Sequence, residues 1–462
     1  MNILSYCIVL ICFYLIGSFI LDIFKAKFLL VEKIALSFLL GNCVVIFLFF
    51  FLSFFRSGLL TTYAYAVVLV SIVSLLFKII RYLRASQHAP FRFFDSALST
   101  WHTTPLFICY LFIAFYAGVR TMNMPVNTND TLANWSFAAK VIYTEQTIYS
   151  DAFTDKDRIL RAKDYPLFIS LTEVFMLHFG KSYDDKNIKV LFFAYYLAFM
   201  IIFYYRLRSI TTIPVAYLVS IALFSLPALI KEESGGISSA MADMPLTLFH
   251  TSALLYLYDY LKTIFASSPL LSLSRSPGPS SAPFNKTASL WISSLLLTGV
   301  LFIKNEGMLI YFALCIALTL FMLRIKRFRL ELLFFIFIPF VLNIPWFYFK
   351  FHSAYPMLPV NQLTINSPGY LLVITGGFLS TIAHISDWGL IWLLPICSLL
   401  HPKKLVKGLP FFVFIFIILH FFSYFATLMI LPTQIQAALP VNRFLLHLLP
   451  ESLILFLLTC QK

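Results

Sequence analysis

Pro166-Leu-Phe-Ile-Ser-Leu-Thr-Glu-Val-Phe-Met-Leu-His-Phe179 decides how this chain is arranged. It is apolar enough to be taken for a membrane-crossing helix, yet the charges on either side do not let it cross. Around it, apolar runs of roughly 15 to 23 residues recur from Ile3 to the C-terminus, and a run of that length spans a hydrocarbon core of about 30 Å as a helix. The runs lie near 3–21, 34–55, 59–80, 105–120, 188–205, 213–230, 245–263, 289–303, 308–323, 330–350, once within 370–400, and at 409–431 and 444–459. The expected fold is therefore all-α: a polytopic integral membrane protein of about thirteen transmembrane helices. A membrane β-barrel would alternate apolar and polar residues in segments of about ten, and no such segments occur.

Composition agrees. Of 462 residues, 60% are hydrophobic and 12% charged, whereas soluble domains are about half apolar and a quarter charged. The formal charge of +14 does not point to nucleic acid, because Lys and Arg sit in short clusters between apolar runs, as in topogenic loops that touch lipid headgroups. The first run, Ile3 to Leu21, lacks a basic segment before it and a small-residue cleavage site after it, so it reads as a retained helix. All seven cysteines fall in apolar segments without metal or redox spacing and read as small core residues. Ser267 to Ser289 is Ser/Pro-rich and reads as a flexible linker.

Charge then fixes the sidedness. The basic clusters are Lys25/Lys27/Lys33, Lys78/Arg81/Arg84/Arg92, Arg206/Arg208, Arg324/Lys326/Arg327/Arg329 and Lys403/Lys404/Lys407. The positive-inside bias asks that all of them be cytoplasmic. If 166–179 crossed, the clusters at 206–208 and 324–329 would fall outside. It is therefore expected to lie at, or dip into, the outer face. The same parity makes 370–400 a single crossing plus a re-entrant or interfacial piece, with the N-terminus outside and the C-terminus inside.

On that topology, polar residues gather on the outer side in four places: Arg120 to Tyr165, Lys231 to Pro245, Lys304-Asn-Glu306-Gly307, and Asn442-Arg443 to Pro450. Each places charge at the end of an apolar run, which is costly unless the group faces a wet cavity or a partner. A single one could be an interfacial anchor or a helix cap, which is the simpler reading of Asp130 and Asp243 taken alone. Four on one face point to one site. After Asp130, an amphipathic interfacial helix is expected, with Trp135, Phe137 and Val141 towards lipid and Lys140 towards water.

These residues resemble the GT-C glycosyltransferases, multi-span enzymes that use polyprenyl-phosphate sugars, such as protein mannosyltransferases, the lipid A aminoarabinose transferase and oligosaccharyltransferases. Asp130 stands where that family has an acid at the start of its first large outer loop, ahead of interfacial helices. Asp164-Tyr165-Pro166-Leu-Phe through Phe179-Gly180 looks like the loop's Pro-Leu-rich helix ending in Phe-Gly. Ala242-Asp243-Met-Pro-Leu, Lys304-Asn-Glu-Gly and Arg443-Phe-Leu-Leu-His-Leu-Leu-Pro resemble three further elements of the family. The likeness spans 105–450, with its outer loop at 120–187. It leaves 1–104 as three added N-terminal helices, 267–289 as a cytoplasmic linker, and 451–462 as the end of the last helix and the C-terminus.

The resemblance implies transfer of a sugar from a polyprenyl-phosphate donor to a glycan, lipid or protein acceptor on the non-cytoplasmic face of a bacterial inner membrane. Asp130 would be the general base, with Asp243 orienting the acceptor or assisting. Arg443 and Lys304 would hold the leaving phosphate, and Glu306 would position Lys304 or a sugar hydroxyl. Trp135, Lys140 and Tyr165 complete the expected substrate-binding set. Asp130 is flanked by Asn129 and Thr131, where many members have two adjacent acids, a departure that argues against a metal site of the oligosaccharyltransferase kind; the expected site includes no metal and no cofactor. Membrane lipids are expected partners. The competing readings are an O-antigen ligase or polymerase, and a lipid-linked oligosaccharide transporter. A carrier needs polar groups near the midplane, and mid-span candidates such as His250 and Asn343 look sparse.

Overall fold

The computed structural model describes residues 3–26, 28–55, 60–85, 103–154, 165–180, 186–266, 286–326, 329–352, 368–430 and 438–461. Lys27, Arg92, Asp164, Arg327 and most of the Ser/Pro-rich stretch lie outside them. Among the described residues the fold is all-helical and has no strand. In lipid this is forced, since a helix satisfies its own backbone polar groups where no water can.

The chain opens with α1 (Ile3–Ile23), α2 (Leu30–Phe55), α3 (Leu60–Ala85) and α4 (Thr104–Asn123). A π-helical turn, Thr131–Trp135, leads into α5 (Ser136–Glu145), α6 (Asp151–Thr154) and α7 (Phe168–Gly180). Next come α8 (Lys189–Leu207), α9 (Ile213–Phe224), α10 (Pro227–Ile230), α11 (Asp243–Ala266), α12 (Lys286–Ile303) and α13 (Glu306–Ile325). The C-terminal part holds α14 (Leu330–Leu342), α15 (Ile344–His352), α16 (Pro368–Ile382), α17 (Ile385–Trp388), α18 (Leu393–Ser398), α19 (Pro402–Leu405), α20 (Gly408–Ile430) and α21 (Ala438–Cys460). Among the described residues nine helical stretches are long and apolar enough to cross a membrane, and shorter apolar helices accompany them. Large apolar side chains such as Leu69, Val73, Phe112, Phe115, Phe334 and Phe337 are exposed on α3, α4 and α14. On a multi-pass membrane protein these are lipid-facing surface.

α11 is too polar to stand among those nine stretches, although the sequence reads a span at 245–263. It packs against α8, α12, α20 and α21, and Thr247, His250, Thr251 and Ser252 on it are buried. A helix screened from lipid by its neighbours does not need an apolar surface all round.

α1 and α2 cross at contact distance. A Cβ on Gly17 would lie 1.8 Å from the Ser37 carbonyl oxygen, and one on Gly41 would lie 1.7 Å from that of Phe13. Only glycine allows two backbones so close. The pair is not peripheral, because α2 also packs on α7, α8 and α12.

α7 has 13 residues, about 20 Å of helix, and is one of the shorter apolar helices beside the nine stretches. Instead of lying in the interface it is sunk into the bundle, with all residues from Phe168 to Leu177 buried. Phe175 meets Phe13 and Phe49. Phe168 meets Phe249 and Phe302.

Four helices share one direction. α8, α11, α13 and α21 each begin in the polar region described below and end at a basic rim. At that rim Arg206 bonds Glu32 and Asp259 at 2.6 and 2.7 Å. There too Arg324 covers Phe411, and Lys404 donates to the Thr459 and Gln461 carbonyls. The segment 388–404 runs the same way. Trp388 donates to Asn442 near the start of α21 and Lys404 to Thr459 near its end, positions separated by roughly 25 Å at about 1.5 Å per residue.

Candidate functional site

The starts of α11, α13 and α21 meet the π-helical turn at the end of the bundle opposite the basic rim. Asp130 has helical backbone angles and makes no capping hydrogen bond, which sets the capping explanation aside. Its carboxylate instead accepts a 2.6 Å bond from Arg443 Nη1. The π-turn that follows holds one residue more per turn than an α-helix, a distortion common at functional sites.

Asp243, the first residue of α11, is 1% exposed and accepts from Lys304 Nζ at 2.8 Å. Lys304 occupies the break between α12 and α13 and also pairs with Glu306 at 3.0 Å. Gly235 bridges the two ion pairs. Its φ of +79° is one that side chains rarely adopt, and a Cβ there would lie 3.0 Å from Asp243 Cβ and 3.4 Å from Arg443 Cγ. Asp130–Arg443 and Asp243–Lys304–Glu306 therefore form one contiguous group. Lys304 lies 6.0 Å above the Tyr165 ring, and Tyr165 packs on Trp135 with ring centroids 5.0 Å apart.

Burial raises the cost of charge on Asp243, ahead of the 245–263 run, but Lys304, Arg443 and His447 outweigh it and bring its carboxyl down to about 2. Burial works against the Lys304 ammonium in the same way, and Asp243 and Glu306 more than compensate, raising it above its ordinary value. Both groups stay ionised across physiological pH. Asp130, in the other ion pair, is the more open carboxylate of the two, with its side chain 43% exposed. Two polar atoms of the group are buried without a hydrogen-bond partner: Arg443 Nε and Glu306 Oε2. A donor and an acceptor left over in one place suit a ligand with both phosphate oxygens and hydroxyls.

The segments around the site are held together by bonds that the sequence does not announce. Thr128 and Thr131 both donate to the Ser239 carbonyl. Lys189, fully buried, donates to the Pro125 and Ser238 carbonyls at 3.0 and 2.6 Å and pairs with Glu232. Lys231 pairs with Asp387 at 2.6 Å, tying α17 to this end.

Compared with protein-family models, curated proteins and solved structures, the chain matches none. Its function rests on the chemistry of the site itself.

Seven of the eight residues singled out from sequence, Asp130, Trp135, Tyr165, Asp243, Lys304, Glu306 and Arg443, fall in this chain of contacts. Lys140 is exposed on α5. Trp135 corrects the amphipathic reading: it is 4% exposed and turned onto Tyr165, while Phe137 is the exposed aromatic. The π-turn shifts the register by about one residue and so carries Trp135 inward. Lys189 was detectable by the same signal as the others, a charge at the start of an apolar run. The expectation that mid-span polar groups are sparse fails as well, because His250 is joined inside the bundle by His420, His447 and Glu451.

Proposed function

We propose that this protein transfers a sugar from a polyprenyl-phosphate donor to an acceptor glycan, lipid or protein at the non-cytoplasmic face of a membrane, as GT-C glycosyltransferases do. The observation that carries this reading is the convergence of Asp130–Arg443 and Asp243–Lys304–Glu306, from four distant segments, at one end of the bundle. The basic rim at the opposite end supports placing that rim in the cytoplasm and the site outside, with about thirteen crossings and α5 and α7 in the outer loop. A bacterial inner membrane fits the family that the chain resembles.

Asp130 takes the proton of the acceptor hydroxyl. The acceptor oxygen bonds to the anomeric carbon as that carbon's bond to the phosphate oxygen breaks, and polyprenyl phosphate leaves with the electron pair. Arg443 holds Asp130 through Nη1 and its side chain is 20% exposed, so the guanidinium can also meet a phosphate oxygen. Lys304 adds charge where the leaving phosphate develops it. Asp243 acts as a positioning residue that fixes Lys304, and the unpartnered oxygen of Glu306 suits a sugar hydroxyl.

The test is to offer purified protein a panel of radiolabelled polyprenyl-phosphate sugars with candidate acceptors. Label should leave the lipid and appear in the acceptor, releasing free polyprenyl phosphate. A second reading, transport of the lipid-linked sugar, is favoured by the buried His250/His420/His447/Glu451 group, since ionisable residues deep in a bundle mark transport paths. In vesicles the intact labelled lipid would then change leaflet without losing its sugar.

A further inference from the structure

Below the charged group, His250 of α11, His420 of α20 and His447 and Glu451 of α21 are all at most 1% exposed. Glu451 lies between two imidazoles: its Oε2 is 3.1 Å from His420 Nδ1 and its Oε1 2.9 Å from His250 Nε2. His250 has oxygen neighbours at both nitrogens. Nδ1 is 2.7 Å from the Leu246 carbonyl, and Nε2 is 3.2 Å from that of His447. The Nε2–H bond is aimed at that carbonyl, so the contact with Glu451 Oε1 is an attraction of charge, not a directed hydrogen bond. His447 links this group to the site above. Its Nδ1 meets the Tyr424 hydroxyl at 2.5 Å, and its Nε2 faces Asp243 Oδ1 at 3.6 Å.

Charge neutrality decides what such a group holds. Glu451 ionised between two neutral imidazoles would be a buried uncompensated charge, and both imidazoles protonated beside it would leave a surplus positive one; each is expensive away from water. The neutral state carries one proton beyond the fully deprotonated form, on Glu451 or on either imidazole. Among the described residues no group of three or more His, Cys, Asp or Glu side chains is placed to hold a metal ion. A carboxylate hydrogen-bonded to one imidazole and in charge contact with a second is instead a place where one proton is held.

We propose that His250, Glu451 and His420 form a proton-binding site inside the bundle, holding a single labile proton and coupled by charge, through His447, to the Asp243–Lys304 pair. The titratable and charged groups facing it are His447 on α21, Tyr424 on α20, Asp243 at the head of α11, and Lys304 and Glu306 at the α12–α13 break. By linkage, a ligand that changes the charge balance at Asp243–Lys304 changes proton affinity below, and the proton changes ligand affinity by the same factor. This holds whether the ligand is a sugar donor or a transported lipid.

The test needs no substrate, so its outcome is separate from that of the transfer reading. Purified protein is titrated from acid to alkaline pH and followed by infrared difference spectroscopy with histidine isotope labelling. Wild type should show a proton-binding signal of coupled carboxyl and imidazole bands, which Glu451→Gln loses and Glu451→Asp keeps. Asp243→Asn removes a negative charge and leaves Lys304, so it should move the midpoint of that signal to lower pH. If Glu451→Gln does not fold, the His250→Gln/His420→Gln double variant must abolish the same signal. A signal unchanged by loss of Glu451, or of both histidines, overturns the site; a midpoint unmoved in Asp243→Asn overturns the coupling.

Discussion

Arg443 grips Asp130 with one nitrogen and keeps a second donor buried and unpaired, an arrangement a lysine cannot reproduce because an ammonium is a point charge without a planar fork. Arg443→Lys is therefore expected to lose donor affinity and turnover together. Lysine equal to arginine in both would make Arg443 a simple helix-end anchor that snorkels to the headgroups. The Asp243–Lys304 pair, with side chains 1% and 5% exposed, belongs to a different class. Asp243→Asn leaves Lys304 with Glu306 as its remaining partner, so it should destabilise the fold by less than the about 3–5 kcal/mol of a fully stranded buried charge, and Asp243→Asn with Lys304→Met should recover part of that loss. Thermal unfolding of wild type and the two variants measures this; no recovery in the double variant would mean the charge on Lys304 is not what costs stability. At this scale the sequence was readable wherever a charge ended an apolar run, as at Asp130, Asp243, Lys304 and Arg443. It was not readable for Glu451 or His420, each a lone polar residue within an apolar run, whose partners are set only by which helices adjoin.

Elements were legible where length and apolarity decide them, and obscure where burial inside the bundle replaces contact with lipid. α7 shows both sides. That it does not cross is an expectation drawn from the charges of its neighbours; its immersion against α1 and α2 was not legible, because an interfacial helix and a buried one can share the same apolar surface. The π-turn at Thr131–Trp135 likewise leaves no trace in composition, yet it turns Trp135 inward. The α1–α2 crossing is the sharpest geometric constraint at this scale. Gly41→Ala must push the Phe13 backbone away or break the pair, so it should destabilise the fold by at least the ~1–3 kcal/mol usual for overpacking. Ser37→Ala nearby, which adds no volume, should be close to neutral. Equal melting temperatures for the two variants would mean the helices can separate freely.

For the molecule as a whole, the basic rim and the charged site occupy opposite ends of α8, α11, α13 and α21, so sidedness can be measured independently of chemistry. Single cysteines replacing Asp151 and Lys186, both exposed, in a background freed of the seven natural cysteines should react with an impermeant thiol reagent from the non-cytoplasmic side. A cysteine at Lys262, exposed near the rim, should react only after permeabilisation. Reaction of Asp151 but not Lys186 would mean that the chain crosses between them.

The proposed roles of Asp130 as base and Arg443 as phosphate-binding arginine meet in one measurement: single turnover of a bound, labelled polyprenyl-phosphate sugar by wild type and by Asp130→Asn. The amide keeps the shape of the carboxylate but takes no proton, so the variant should bind donor as wild type does and transfer its sugar about 10²-fold more slowly or worse. An Asp130→Asn protein that keeps more than about a tenth of the wild-type rate, a smaller loss than removal of a general base produces, would contradict Asp130 as the base.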